Sequence, residues 1–377
     1  MGKPKTKWKK DSSLTISSGN RDLDKRILNW LEWDNPDSKS HAEVLKLVKK
    51  KKYEQLGFIM NERLSFGGDG MRAPVGPGFA QMNDLVVIQT CQALAFYISE
   101  QQGQKSLSKG IVVGHDVREF SRRWALLATG VFRNLGFKVY LFPRPTPTPF
   151  VPFAIKKIKC AGGIVITGSY NPKGDNGIKI YWKNGAQVSR KHESGIEESI
   201  SRHSEPISNE HYDPFDERTV ESWTINDANI IDPFLTNGIK ALYEKSISDA
   251  TFDRQSNSMC NVQVVYTGLH GVGGEFIGDI MEAAGFKKSS IIHVRKQQMP
   301  DRHFSTIKVP NPDPDQEPKA LAMAMKTAEK NNVRYIIAND PDCGRLALAE
   351  RNPKNPFPRD LQHYVIHKHD YFGRRYP

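Results

Sequence analysis

Apolar residues recur at helical spacing through residues 23–56 (Ile27, Trp30, Leu31, then Val44, Leu45, Leu47, Val48), and the polar stretch 34–40 divides them, which predicts a packed leader of two helices. A Gly-rich segment, 64–82, follows, and Asn83 then serves as N-cap for an apolar helix reaching about residue 98. The short apolar run 110–113, a helical pattern over 122–135 and a second apolar run over 138–142 form a strand-helix-strand unit, which predicts a mixed or parallel α/β sheet. Pro145, Pro147 and Pro149 impose an extended connection before a helix at 150–158. Two β-rich runs, 164–166 and 178–182, then flank a tight loop of Gly, Ser, Asn and Pro.

The alternation restarts after a polar stretch at 189–229, where a domain boundary is expected. A helix over 234–245, a strand over 262–267, the turn GLHGVGGEF and a helix over 276–284 predict a second α/β unit. A Pro-rich connector at 310–317 and a helix over 318–330 lead to a further strand at 333–338. The expected organisation is a disordered basic tail (1–20), a helical leader (21–60), a first α/β domain (61–205), a second (206–332), the start of a third (333–350) and a tail (351–377) without helical or strand periodicity. With its remaining strands missing, the strand at 333–338 is expected to be exposed or irregularly docked.

At 377 residues the chain exceeds one typical core, and 38% hydrophobic with 25% charged residues is the composition of a soluble globular protein. No apolar run approaches the roughly 18 residues that span a bilayer, and the N-terminus MGKPKTKWKK lacks the apolar region of a signal peptide, so a cytosolic protein without a membrane partner is expected. Cys91, Cys160, Cys260 and Cys343 have neither disulfide-framework nor zinc-site spacing. The net charge of +12 lies mostly at the two ends, including five lysines in the first ten residues, which leaves a mildly basic middle suited to a small anion and not to nucleic acid. The run Lys49 to Lys52 reads as a solvated helix face.

Chemistry concentrates at the strand ends. The loop after residue 166 offers Thr167, Ser169 and Asn171 between glycines; it is either an ordinary polar hairpin or the presentation of a Ser169 hydroxyl. Asp116 and Arg118 follow the strand at 110–113, in the position where open α/β sheets bind ligands. Arg72 lies in the Gly-rich loop, where backbone amides and a guanidinium can meet an anion. His270 is either a phosphate or sugar contact or a hydrogen-bonded surface residue. Asp340 and Asp342, at alternate positions on a turn, suit one hard cation such as Mg²⁺, or form an Asp-Pro turn with a solvated second carboxylate. A presented serine, arginine loops and a divalent site together point to phosphoryl transfer.

These residues resemble the α-D-phosphohexomutases. TGSYNPKGDNGIKIYWKNGAQ is similar to the family's phosphoserine loop, TASHNPxxDNGxKxYW, and FGGDGMRAPVGPG, QMNDLVVIQT, NWLEWD, TPTPFVPFA, VYTGLHGVGGEF and ANDPDCGRLALAE extend the resemblance over residues 23–350, with the phosphoglucomutase/phosphopentomutase branch as the nearest pattern. It implies repeated α/β domains with mixed sheets. It also implies a phosphorylated Ser169 that donates its phosphoryl group to a sugar monophosphate and recovers one from the resulting sugar bisphosphate, such as a sugar 1,6-bisphosphate. Mg²⁺ would be held by Ser169, Asp340 and Asp342. Lys179 would act as acid or base, Arg345 would contact the phosphoryl group, Arg72 would belong to the anion loop, and Asn171, Arg118 and His270 would face the phosphosugar. A monomer is expected.

Three features depart from the family pattern: Gly344 stands at the third metal aspartate, Tyr170 at a histidine, and residues 351–377 are unlike the third and fourth domains with which the family continues. The tail, with His363, His367 and His369, looks like the product of a shifted frame, alternative splicing or a faulty gene model. The alternative functional expectation is accordingly an inactive, truncated fragment or a phosphosugar-binding remnant.

Overall fold

The structure, a computed structural model, describes residues 16–68, 70–313, 316–317 and 319–351, together with the backbone of 364–370. Two mixed sheets organise it. The first contains β1 (Met71–Pro74), β2 (Ile111–His115), β3 (Val139–Leu141), β4 (Gly162–Ile166), β5 (Asp175–Trp182) and β6 (Ile230–Ile231), in the order β1-β5-β4-β2-β3-β6. Strand β2 is parallel to β3 and β4, and β6 is parallel to β3, whereas β5 runs antiparallel to both β4 and β1.

Alternation along these strands explains the layers. Ile111, Val113, Ile164 and Ile166 face a core shared with helices Asp84–Gln102 and Ser121–Asn134, while Val112 and Val165 face the opposite side, against helix Phe150–Ile158. Asn83 caps the first of these helices, its Oδ1 accepting the Val86 amide at 2.9 Å. That helix is apolar on nearly every side because it is enclosed by the sheet, helix Ser121–Asn134 and helix Arg190–Arg202.

The second sheet contains β7 (Val264–Thr267), β8 (Ile291–His293), β9 (Tyr335–Asn339), β10 (Arg345–Arg351) and β11 (Tyr364–Asp370), in the order β11-β10-β9-β7-β8. Strand β7 is parallel to β8 and β9, and β10 is antiparallel to β9 and β11. The two units meet through an aromatic cluster in which Phe150 lies 4.4 Å from Tyr243 and 5.4 Å from Phe276 between ring centroids.

Several expectations are corrected. Residues 333–350 do not open a separate domain: β9 lies between β7 and β10, and Ile336 and Ala338 are fully buried, not exposed. Residues 206–231 join the first unit, since Phe215, Val220 and Ile230 enter its core and β6 extends its sheet. The leader has three helices, Arg21–Trp33, Lys39–Lys49 and Tyr53–Met60, because Lys51 adopts a left-handed φ of 52° that ends the second. The tail, expected to lack periodicity, forms β11 from 364 to 370. Residues 1–15 of the basic tail and His363 lie outside the described residues, and Ile16 packs against the first core.

Candidate active site

Strand β4 ends at Ile166, and the chain turns back into β5 through residues 167–174. Thr167 sets the first bend: its hydroxyl donates to Asp116 Oδ2 at 2.7 Å and accepts the Ser169 amide at 2.7 Å. Ser169 then takes a left-handed φ of 51°, a conformation that a residue with a Cβ adopts only when its surroundings impose it.

Arg118 supplies much of that constraint. Its Nη1 donates to the carbonyls of Pro172 (2.8 Å) and Asp175 (2.9 Å), and its Nη2 to those of Ser169 (2.6 Å) and Asn171 (2.7 Å). Asp116 lies 3.4 Å from Arg118 Nε and also accepts the Arg118 amide and the Ser121 hydroxyl. Burial pushes the Asp116 carboxyl up and the Arg118 guanidinium down, and their mutual attraction opposes both shifts. Gly168 is required where the arginine passes, since a Cβ there would stand 2.8 Å from Arg118 Nε.

The Ser169 hydroxyl points across the gap between the sheets and donates to Asp340 Oδ2 at 2.7 Å. Lys179, on β5, places its Nζ 3.3 Å from Ser169 Oγ and 2.6 Å from Asp342 Oδ2. The Thr148 hydroxyl also donates to Asp342 Oδ2, and its amide to the Asp342 carbonyl at 2.7 Å. Asp340 Oδ1 accepts the Arg345 amide at 2.7 Å, and the Cys343 amide donates to the Asp340 carbonyl at 2.9 Å, which folds the 340–345 turn around the two carboxylates.

Electrostatics separates the pair. Burial, reinforced by the charge of Asp342, pushes the Asp340 carboxyl above the usual carboxylate range. Burial also works against ionisation of Asp342, yet the Lys179 ammonium and the hydroxyl of Thr148 outweigh it and hold that carboxyl below the usual range. A serine hydroxyl therefore bonds to the carboxyl group of the pair in which burial and the neighbouring charge oppose ionisation, beside a buried lysine.

Residues 63–206 match the family described as phosphoglucomutase/phosphomannomutase, alpha/beta/alpha domain I, and residues 240–354 match its alpha/beta/alpha domain II. The chain belongs to the α-D-phosphohexomutases. Human phosphopentomutase is 37% identical to this phosphohexomutase over 340 residues, covering 87% of the chain and 52% of that protein. Human glucose 1,6-bisphosphate synthase is 36% identical over 345 residues, covering 88% and 52%. The chain thus spans about half the length of the curated relatives it matches. A solved phosphoglucomutase/phosphomannomutase family structure from Burkholderia thailandensis shares the fold at a TM-score of 0.56 and 19% identity, covering 76% of this chain and 54% of that one.

The phosphohexomutase fold brings together Ser169, Lys179, Asp340 and Asp342, and sets two arginines beside them. Arg345 stacks with its guanidinium 3.5 Å from the Tyr170 ring centroid, and that of Arg72 lies 5.1 Å from the same centroid. Three residues expected to face the phosphosugar make hydrogen bonds within the protein. The Arg118 guanidinium holds the serine loop, and the Asn171 side-chain amide donates to Asp175 at 3.0 Å within it. His270 is buried; its Nε2 pairs with the Thr306 hydroxyl at 2.7 Å, which braces the 301–306 segment, and burial lowers its pKa. The sequence shows Thr148 only as part of a motif and Thr167 only as a polar group of the loop, and their hydrogen bonds depend on partners 194 and 51 residues away.

The family implies a magnesium ion. Asp342 Oδ1 is buried without a hydrogen-bond partner, and Asp340, Asp342 and the Ser169 oxygen are hard oxygen donors of the kind such a cation takes. The residues fit it with two carboxylates: among the described residues no group of three or more His, Cys, Asp or Glu side chains converges as a metal site.

Proposed function

We propose that this chain carries the phosphoryl-transfer centre of a phosphosugar mutase, an intramolecular phosphotransferase that interconverts sugar 1-phosphates with their 6- or 5-phosphates through a phosphoserine and a sugar bisphosphate. The observation that carries the reading is the Ser169 hydroxyl, held in a left-handed turn and bonded at 2.7 Å to Asp340 across the junction of the two units, with Lys179 at 3.3 Å. Relatives named phosphopentomutase and glucose 1,6-bisphosphate synthase support it.

Each group has a stated part. Ser169 Oγ accepts and returns the phosphoryl group. Asp340 Oδ2, which accepts the Ser169 hydroxyl at 2.7 Å, is placed to take the proton that the hydroxyl gives up. Lys179 and the two arginines beside Tyr170 bind phosphoryl oxygens and offset their charge. Ser169, Asp340 and Asp342 would hold a Mg²⁺ ion, which when bound would supply further charge neutralisation. The Arg118 clamp keeps the serine loop in register, so that positioning carries much of the rate.

Among the described residues no helix is long and apolar enough to cross a membrane, and a cytoplasmic monomer acting on a small phosphosugar belongs to the same proposal. Incubation with glucose 1,6-bisphosphate or ribose 1,5-bisphosphate, followed by intact mass and peptide mapping, is expected to place one phosphoryl group on Ser169, and none in Ser169→Ala. A coupled assay then follows glucose 1-phosphate or ribose 1-phosphate turnover. Gly344 and Tyr170, which replace an aspartate and a histidine of the family pattern, favour a second reading as a phosphosugar-binding remnant. Saturable sugar-phosphate binding without labelling of Ser169 would decide for it.

A further inference from the structure

Lys179 lies on β5 opposite Val165 of β4, and its side chain is enclosed; the ammonium emerges only into the space bounded by Ser169 and Asp342. The turn carrying the two carboxylates passes the ammonium at Gly344. A Cβ built there would stand 3.1 Å from Lys179 Nζ and 3.5 Å from both carboxylate oxygens of Asp342. A side chain at position 344 would therefore enter between the lysine and the carboxylate pair. The backbone there is not in the left-handed region, and the nearest obstacle is the movable end of a side chain, so an L-residue is sterically admissible.

We propose that Lys179 is the built-in counter-ion of the Asp340–Asp342 pair in this chain, and that a divalent cation binds there only in competition with it. The inference rests on Asp340 and Asp342 being the cation cradle. Its physical basis is charge. Two carboxylates and one ammonium leave a single net negative charge to attract a dication, and the ammonium sits 2.6 Å from one of the donor oxygens. An acidic side chain at 344 would double that net charge and give the ammonium an anionic partner of its own. Glycine does neither, so Lys179 remains on Asp342. The unpartnered, buried Asp342 Oδ1 is the acceptor that a displacing cation would gain.

The test is binding of Mn²⁺ to the full, unphosphorylated chain, followed by electron paramagnetic resonance, for the wild type, Gly344→Ala, Gly344→Asp and Lys179→Met. Sites elsewhere are identified as binding that survives Asp340→Asn. Gly344→Asp is expected to tighten cradle binding by about tenfold or more, because one unit of buried charge near 4 Å is worth more than a factor of ten. Gly344→Ala is expected to stay within about twofold of the wild type, as the added methyl carries no charge. Lys179→Met is expected to tighten binding as well, whereas a lysine that supports the cation through Ser169 would weaken it on removal.

Equal affinity of the wild type and Gly344→Asp, or a loss of affinity in Lys179→Met, overturns the proposal. If Lys179→Met does not fold, the Gly344→Asp to Gly344→Ala ratio decides alone. Absence of cradle binding in every variant also overturns it. Phosphorylation of Ser169 by the sugar bisphosphate is scored separately, so that failure of the phosphoryl-transfer reading is distinguished from failure of this one.

Discussion

The guanidinium of Arg118 is the most consequential single group for the serine loop, and Arg118→Met measures its weight. The substitution removes four hydrogen bonds to the carbonyls of Ser169, Asn171, Pro172 and Asp175. Asn171, Pro172 and Asp175 are at least partly exposed, and their carbonyls can turn to water. Asp116 is fully buried and cannot. The stranded carboxylate therefore sets the expected loss, about 3 to 5 kcal/mol. Arg118→Lys keeps the charge, but one ammonium cannot meet four carbonyls in a fork, so a loss of about 1 to 2 kcal/mol is expected. Urea unfolding followed by far-UV circular dichroism gives the global term. Native-state hydrogen exchange of the 167–177 amides gives the local one, and the Ser169 amide is expected to lose protection first. The pairing with Asp116 is isolated by a double-mutant cycle with Asp116→Asn, in which the double variant regains part of the loss. An Arg118→Met protein within about 0.5 kcal/mol of the wild type, with unchanged exchange at Ser169, would refute the clamp.

Three further outcomes are expected. Burial pushes the Asp34 carboxyl from 3.8 to about 6, so the folded state retains a proton that the unfolded state releases; stability falls as pH rises through that window, and Asp34→Asn should gain on the wild type from near zero at pH 4 to at most roughly 3 kcal/mol at pH 7 in urea titrations. A pH-independent difference would show that Asp34 does not titrate in this way. Tyr170→Ala should weaken inorganic phosphate or sugar-phosphate binding by about 2- to 30-fold in calorimetry, the worth of a guanidinium-ring contact, while Tyr170→Phe stays near the wild type; equal losses in both would assign the effect to the hydroxyl. Gly271→Ala brings a Cβ to 2.2 Å from the Pro341 Cα, and displacement of that backbone should cost about 1 to 3 kcal/mol and slow Ser169 labelling; unchanged melting and labelling would contradict the contact.

Local signals carried the elements and the chemistry, and long-range pairing escaped them. Asn83 announces its helix because capping is a matter of four consecutive residues, 83 to 86. Ser169, Lys179, Asp340 and Asp342 stand in motifs whose residue types already suit a phosphoryl group. What the pattern could not supply was strand order: β9 reads as the start of a new domain because it follows a Pro-rich connector, yet it pairs with β7 some seventy residues earlier. Strand β6 is two residues long and leaves no periodicity to detect. The position of Arg118 just beyond a strand end is legible in the sequence, but nothing in its neighbours reveals that its guanidinium reaches across more than fifty positions to the carbonyls of another loop.

The separation of Ser169 from Asp340, 171 residues, also fixes an order in time. A ribosome adding roughly 5 to 20 residues per second finishes synthesising the first sheet, which ends with β6 at Ile231, some 5 to 20 s before it reaches the carboxylates. Throughout that interval Ser169 is an ordinary hydroxyl on a finished loop, and Lys179 has no anion to face. The second unit must then dock in register for Thr148, Lys179 and Ser169 to find Asp340 and Asp342 together. On the proposed function, labelling of Ser169 would therefore report correct assembly, because the groups around the hydroxyl come together only when the second unit has docked.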